Sequence, residues 1–163
     1  MIVILEGVDG SGKTTLCNQL VQQGYEKVEI ESGNYEFDNW KEAKINNVGN
    51  VVICDRSFIT DLVYRTFDNQ QRRGMNLQQM CGTLASQIVI IHLESGTEFD
   101  DAMKRGENNI TDVISHTRIK FLYRDIINML KIFVGVPVKT YNWRRDNLAN
   151  VISFIKEGGR CYG

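Results

Sequence analysis

The chain alternates short, unbroken apolar runs with longer stretches in which apolar residues return at the helical period. Ile2–Leu5, Val28–Ile30, Val51–Cys54, Ile88–Leu93 and Val138–Tyr141 are rich in β-branched residues and lack polar alternation. That is the pattern of strands buried on both faces of a parallel sheet. Helices are predicted over Lys13–Gln22, near Asn39–Asn46, over Ile59–Phe67 and from a cap at Asn76 through Leu84. Ser95 and Glu98 fit a capping box for a helix that ends near Arg105. The longest helix is predicted over Asp112–Phe133, with Ile114, Phe121, Leu122, Met129, Leu130 and Phe133 as its buried face, and Asp146–Glu157 closes the series. This order predicts a three-layer α/β fold, a parallel sheet of about five strands with helices on both faces.

Composition narrows the picture. At 163 residues, with one proline at Pro137 and no repeat or linker, the chain reads as one domain over 1–163. A formal net charge of −1 gives no electrostatic reason to expect a nucleic-acid partner, and Arg72-Arg73 and Arg144-Arg145 read as solvated surface. Cys17, Cys54, Cys81 and Cys161 form no C-x-x-C pair, and their wide spacing fits reduced thiols and a cytoplasmic location. Met1–Gly7 has no basic leader, and its apolar stretch is too short for a membrane span, so it reads as a buried strand with no membrane partner. His92 falls on a central strand and reads as core; His116 reads as helix surface; neither has a partner that suggests catalysis or a metal.

One segment carries definite chemistry. Gly7-Val8-Asp9-Gly10-Ser11-Gly12-Lys13-Thr14 matches G-x-x-x-x-G-K-[ST] at every fixed position, directly after an apolar strand and before a helix. Gly7, Gly10 and Gly12 allow the tight turn that aims backbone N–H groups at phosphate oxygens, and the helix N-terminus adds its positive end. Gly7, Gly10, Ser11, Gly12, Lys13, Thr14 and Thr15 are thus expected to bind ATP, Lys13 reaching the β- and γ-phosphates and Thr14 holding magnesium. No N-K-x-D segment is present, as a GTPase would usually carry, which leaves small-molecule kinases and minimal ATP-binding switches.

Glu6-Gly7-Val8-Asp9-Gly10-Ser11-Gly12-Lys13-Thr14-Thr15 resembles the P-loop of thymidylate kinases, which reads E-G-x-D-G-x-G-K-T-T. Val51-Val52-Ile53-Cys54-Asp55-Arg56-Ser57 resembles that family's strand ending in Asp-Arg, and Thr60 and Tyr64 stand at the spacings of its Ser and Tyr. Lys104-Arg105-Gly106, ahead of a polar stretch and a long helix containing Tyr123, is similar to the family's lid, here over approximately 104–112. The resemblance implies an ATP-dependent nucleoside monophosphate kinase with a deoxynucleotide such as dTMP as acceptor, small-molecule nucleotides as partners, and a homodimer as an open possibility. It implies that Asp9 contacts the acceptor sugar, that Arg56 holds the acceptor phosphate, with Thr60 and Tyr64 beside it, and that Asp55 joins Thr14 at the Mg2+ site. Lys13, Arg56, Asp55, Lys104 and Arg105 then form the catalytic set.

The chain also departs from that family. Only about twenty residues separate Glu31-Ser32-Gly33-Asn34 from Asp55, where thymidylate kinases carry a long base-reading helix, and Arg65 stands where they have glutamine. Trp40 is balanced between base contact and ordinary packing, and Asn142-Trp143-Arg144, after the last strand where adenine often rests in this class, reads as an ordinary loop ahead of an adenine contact. The segment Gly106-Glu107-Asn108-Asn109 suits either a closing lid or a plain loop. Two other functions stay open. A nucleoside or polynucleotide-end kinase would need a base for the acceptor hydroxyl, for which Glu29 and Glu31 are the carboxylates at hand; a non-catalytic ATP-binding regulatory protein would need no acceptor site.

Overall fold

The computed structural model describes residues 1–28, 50–69, 88–106 and 112–158. Five parallel strands form one sheet in the order β2-β3-β1-β4-β5: β1 Ile2–Glu6, β2 Glu26–Val28, β3 Val52–Asp55, β4 Ile88–Leu93 and β5 Val138–Tyr141. Around them lie α1 Lys13–Gln22, α2 Phe58–Phe67, α3 Glu98–Arg105, α4 Val113–Met129 and α5 Leu148–Lys156.

The two-residue side-chain period of the strands sorts the core into two layers. Ile2 and Ile4 of β1, Val52 and Cys54 of β3, and Ile88 and Ile90 of β4 face α2 and α4, packing on Phe58, Ile59, Ile119, Tyr123 and Ile127. Val3, Leu5, Ile53, Val89 and Ile91 face the other way, onto Leu16, Cys17 and Leu20 of α1 and Val151, Phe154 and Ile155 of α5. The three-layer expectation is met, and every central strand is apolar because both of its faces are covered. Cys17 and Cys54 are buried, one in each layer. Among the described residues no helix is long and apolar enough to cross a membrane.

Three readings are corrected. β2 begins earlier than expected, at Glu26, and is described only to Val28. The helix after β4 starts at Glu98 with Thr97 at its N-cap, although Glu98 still reaches back to the Ser95 N–H at 2.6 Å, one half of the expected box. α4 turns a partly different face to the core, although Leu130 is buried and Leu122 packs against the core as expected. His116, Ile119, Tyr123, Ile126 and Ile127 are its buried residues, and Ile114, Phe121 and Phe133 are exposed. Beyond Met129 it winds into a π-helical turn, Leu130–Val134, ending on Gly135 in the left-handed region. The helices expected near Asn39–Asn46 and from Asn76 to Leu84 lie outside the described residues. So do Glu29, Glu31, Trp40, Arg72-Arg73, Cys81, Cys161 and the lid residues Glu107–Asn109.

Candidate active site

β1 ends at Glu6 between β3 and β4, and the chain then turns into the glycine-rich loop at the carboxyl edge of the sheet. In an open parallel sheet this is where the ligand crevice forms, at the strand flanked by connections running in opposite directions. Two glycines of the loop are required by their surroundings. A Cβ on Gly10, whose φ is 83°, would lie 1.9 Å from the Glu98 carbonyl oxygen at the start of α3. A Cβ on Gly12, at φ 93°, would lie 2.7 Å from Cδ1 of Trp143. The loop is therefore clamped between α3 and the segment after β5.

Lys13 is buried, and its ammonium donates to the carbonyls of Gly7 at 2.6 Å and Val8 at 2.9 Å, with Ser11 Oγ at 3.4 Å. The side chain thus curls over its own loop. Burial, with the Arg56 charge adding to it, lowers its pKa to about 8, against the pull of Asp9, Glu6 and Asp55. Thr14 and Thr15 are exposed on the first turn of α1.

Arg56 follows the last residue of β3, and its N–H bonds the Leu5 carbonyl at 3.1 Å, extending the β1–β3 ladder by one step. Its φ is 82°. A side chain in the left-handed region costs about 1–2 kcal/mol relative to its relaxed backbone. That geometry brings its guanidinium to Asp9 of the loop in an ion pair. Arg56 also donates to the Tyr123 hydroxyl at 3.4 Å. Tyr64 lies beside the pair; burial and the Asp9 carboxylate raise its phenol above the ordinary value, against Arg56.

Beneath the pair is a carboxylate with no exposed surface. Glu6 accepts from Ser57 Oγ at 2.6 Å and from Thr60 Oγ1 at 2.9 Å. Thr60 gives its one hydroxyl proton to Glu6, so at 3.1 Å it accepts from Tyr123. Burial pushes the Glu6 carboxyl up to about 7, while the Ser57 bond, Arg56, the Thr60 bond and Lys13 pull it down. Burial and the same carboxylate raise the Tyr123 phenol well above its usual range, which keeps it a donor.

His116, expected on the surface, is buried instead and donates from Nε2 to the Asp9 carbonyl at 3.0 Å, with Phe99 edge-on to its ring. α4 therefore touches both members of the ion pair, through His116 and Tyr123. His92 is core, as expected, and burial lowers its pKa. On the opposite side of the loop, Arg144 lies 4.2 Å above the Trp143 ring and grips Asp101 with two 3.0 Å contacts. The Trp143 indole nitrogen is buried and has no hydrogen-bond partner among the described residues.

Of the residues singled out from sequence, the structure gathers Asp9, Lys13, Arg56, Thr60 and Tyr64 around the loop, with Asp55 close enough to act on the charge of Lys13. Lys104 and Arg105 are exposed on the last turn of α3. Glu6 and His116 were given no role from sequence. The signal for Glu6 was present: Ser57 and Thr60, three apart on α2, put two hydroxyls on one side of its first turn, and β3 leads that turn to β1.

No family model matches the chain. A probable thymidylate kinase of Picrophilus torridus is 24% identical over 157 residues, covering 94% of this chain and 73% of that relative. The solved structure of the YorR protein from Bacillus subtilis, in complex with phosphorylated GDP, matches with a TM-score of 0.70 and 20% identity over 96% of each chain. A deoxyadenosine kinase from M. mycoides, solved with the products dCMP and a flexible dCDP, matches with a TM-score of 0.63 and 16% identity over 96% of this chain and 97% of that one. The chain is thus similar in sequence to a thymidylate kinase and shares the five-stranded parallel α/β fold of these solved structures.

Proposed function

We propose that the chain transfers the terminal phosphoryl group of ATP to a deoxynucleoside monophosphate, dTMP or a related one, giving the diphosphate. The observation that carries this reading is Arg56. A site that only held ATP would have no use for an arginine kept in a costly backbone conformation and aimed at the loop. A guanidinium in that position grips a phosphate with two parallel hydrogen bonds.

The attacking group is already an anionic phosphate oxygen, so the residues position and neutralise more than they move protons. Lys13 leaves the carbonyls of Gly7 and Val8 for the β- and γ-phosphates. The N–H groups of Gly10, Ser11, Gly12, Thr14 and Thr15 cradle the same tail. Arg56 holds the acceptor phosphate, Asp9 takes the acceptor sugar, and Thr60 and Tyr64 flank it. Lys104 and Arg105 come from the α3 end to neutralise the transferring group. Thr14 and Asp55 would hold magnesium through a hydroxyl and a carboxylate, the hard oxygen donors that it takes. Among the described residues no cluster of three or more His, Cys, Asp and Glu offers a rival metal site. Held by Thr14 and Asp55, magnesium would supply neutralisation of the phosphate charge. The buried thiols Cys17 and Cys54 support a cytoplasmic location.

A second reading, phosphorylation of a deoxynucleoside, is favoured by the fold shared with the M. mycoides deoxyadenosine kinase. A panel of deoxynucleosides, their monophosphates and a 5′-hydroxyl oligonucleotide, incubated with ATP and magnesium and read by product identity, separates the two. A diphosphate formed from a monophosphate is the expected product. Monophosphates or end-labelled oligonucleotide as the only products, or no turnover at all, refute the proposal.

A further inference from the structure

We propose that Glu6 is a positioning residue for the acceptor site, acting through α2 to hold Arg56 in its left-handed conformation. The inference rests on the reading of Arg56 given above.

Arg56 stands at a junction. On its amino side is β3, fixed by pairing with β1. On its carboxyl side, Ser57 caps α2, accepting from the Ile59 N–H at 3.2 Å. For Arg56 to keep a φ of 82°, the strand and the helix must both be fixed in place. The strand is fixed by its ladder. Glu6 fixes the helix, because its two carboxylate oxygens take the hydroxyls of Ser57 and Thr60, the cap and the first turn. The tie is short, fully buried and made from the last residue before the phosphate loop.

A second path runs to the guanidinium. Arg56 donates to Tyr123, Tyr123 to Thr60 and Thr60 to Glu6, so all donors in the chain point toward one carboxylate. Chained bonds of this kind polarise one another and lose more than one bond's worth when the terminal acceptor is removed. Glu6 has no exposed surface, which places it to act through its neighbours. The charges of Arg56 and Lys13 both act on it. As the last residue before the donor loop, it is joined to the helix that follows the acceptor arginine.

The test compares Glu6→Gln, Arg56→Ala and the double variant in steady-state transfer, with ATP-analogue binding and thermal unfolding measured alongside. Glu6→Gln keeps the volume and one acceptor, but its amide N–H group meets a hydroxyl whose proton points at it, so that hydroxyl must turn its proton away. The expected result is a tenfold or greater rise in the acceptor KM, a smaller fall in kcat and unchanged analogue affinity. In the Arg56→Ala background the same change is expected to cost less than twofold, because the group it positions is gone. A merely structural role would lower both backgrounds alike. If Glu6→Gln does not fold, Ser57→Ala with Thr60→Val cuts the same two bonds from the helix side and is expected to show the same selective loss. Wild-type acceptor KM in a folded variant, or an equal loss with and without Arg56, overturns the inference. A loss in Glu6→Gln with no effect of Arg56→Ala overturns it too, and with it the role of Arg56. Absence of transfer to every monophosphate by the wild-type chain overturns the proposed function and takes this inference with it.

Discussion

The backbone of Arg56 makes a prediction whose sign is unusual. Replacing Arg56 with alanine or with glycine removes the same guanidinium, the same ion pair with Asp9 and the same contact with Tyr123. The two variants differ only in what they tolerate at a φ of 82°. Alanine keeps the steric conflict of Cβ with the backbone, worth about 1–2 kcal/mol in the left-handed region. Glycine is free of it, but its unfolded chain is looser, which offsets about 0.4–1 kcal/mol. The balance favours glycine by about 1 kcal/mol. At an ordinary position alanine would be the more stable of the two, so the order itself reports the strain. For a chain of this size about 1 kcal/mol corresponds to about 3 °C in Tm. Urea titration of both variants, read by tryptophan fluorescence and far-UV circular dichroism, gives the difference at equal m-value. Arg56→Gly is expected to have the higher midpoint, and both variants are expected to lose acceptor use far more than ATP binding. Arg56→Ala equal to or more stable than Arg56→Gly would show that the arginine is not held under strain, and the argument from cost to function would fail.

Other predictions follow from neighbouring groups. Glu6 is raised from 4.5 to about 7 in the folded chain, so its contribution to stability is full below pH 4.5 and is lost as pH rises through about 7. At about 1.4 kcal/mol per unit this is about 3 kcal/mol, and Glu6→Gln is expected to gain that much relative to wild type between pH 4.5 and 8 in denaturant titrations; a pH-independent difference would contradict the burial of an ionisable carboxyl there. Gly10→Ala places a methyl against the Glu98 carbonyl in a left-handed backbone and is expected to cost at least about 2 kcal/mol of stability, measured by urea midpoint, where wild-type stability would mean that α3 does not clamp the loop. Arg105→Ala, exposed at the end of α3, is expected to lower kcat about tenfold or more with little change in Tm, as loss of a charge that acts on the transferring group; an unchanged kcat removes it from the catalytic set.

Much of this architecture is written in short local patterns. β4 and β5 are bounded as the apolar runs predict, and α1 begins where the motif ends, because each is set by residues adjacent in sequence. α4 departs from the face its pattern predicts because it carries apolar residues on more than one side. Ile114 and Phe121 fit a helical stripe, but the stripe that meets α2 and the sheet contains Tyr123 and His116, whose polar tips find partners on Thr60 and Asp9. Polar-tipped side chains count against burial until a partner from elsewhere in the chain is known. The edge strand β2 shows why burial on both faces matters to the reading: Glu26 and Lys27 are exposed, so its pattern carries little strand signal of its own. At the site, the loop was legible from one contiguous motif. The pairing of Asp9 with Arg56 was not, since it depends on a backbone angle that no residue type announces. Nor was the burial of Glu6, whose partners lie 51 and 54 residues further along.

The central claim is that the loop at the end of β1 cages the triphosphate tail of ATP with Lys13 as its one side-chain cation. A crystal structure with magnesium and a non-hydrolysable ATP analogue tests it most directly. The account predicts the analogue's phosphates inside the loop and the Lys13 ammonium moved from the Gly7 and Val8 carbonyls onto the β- and γ-phosphate oxygens. An analogue bound elsewhere, or bound in the loop with Lys13 still on those two carbonyls, would contradict it.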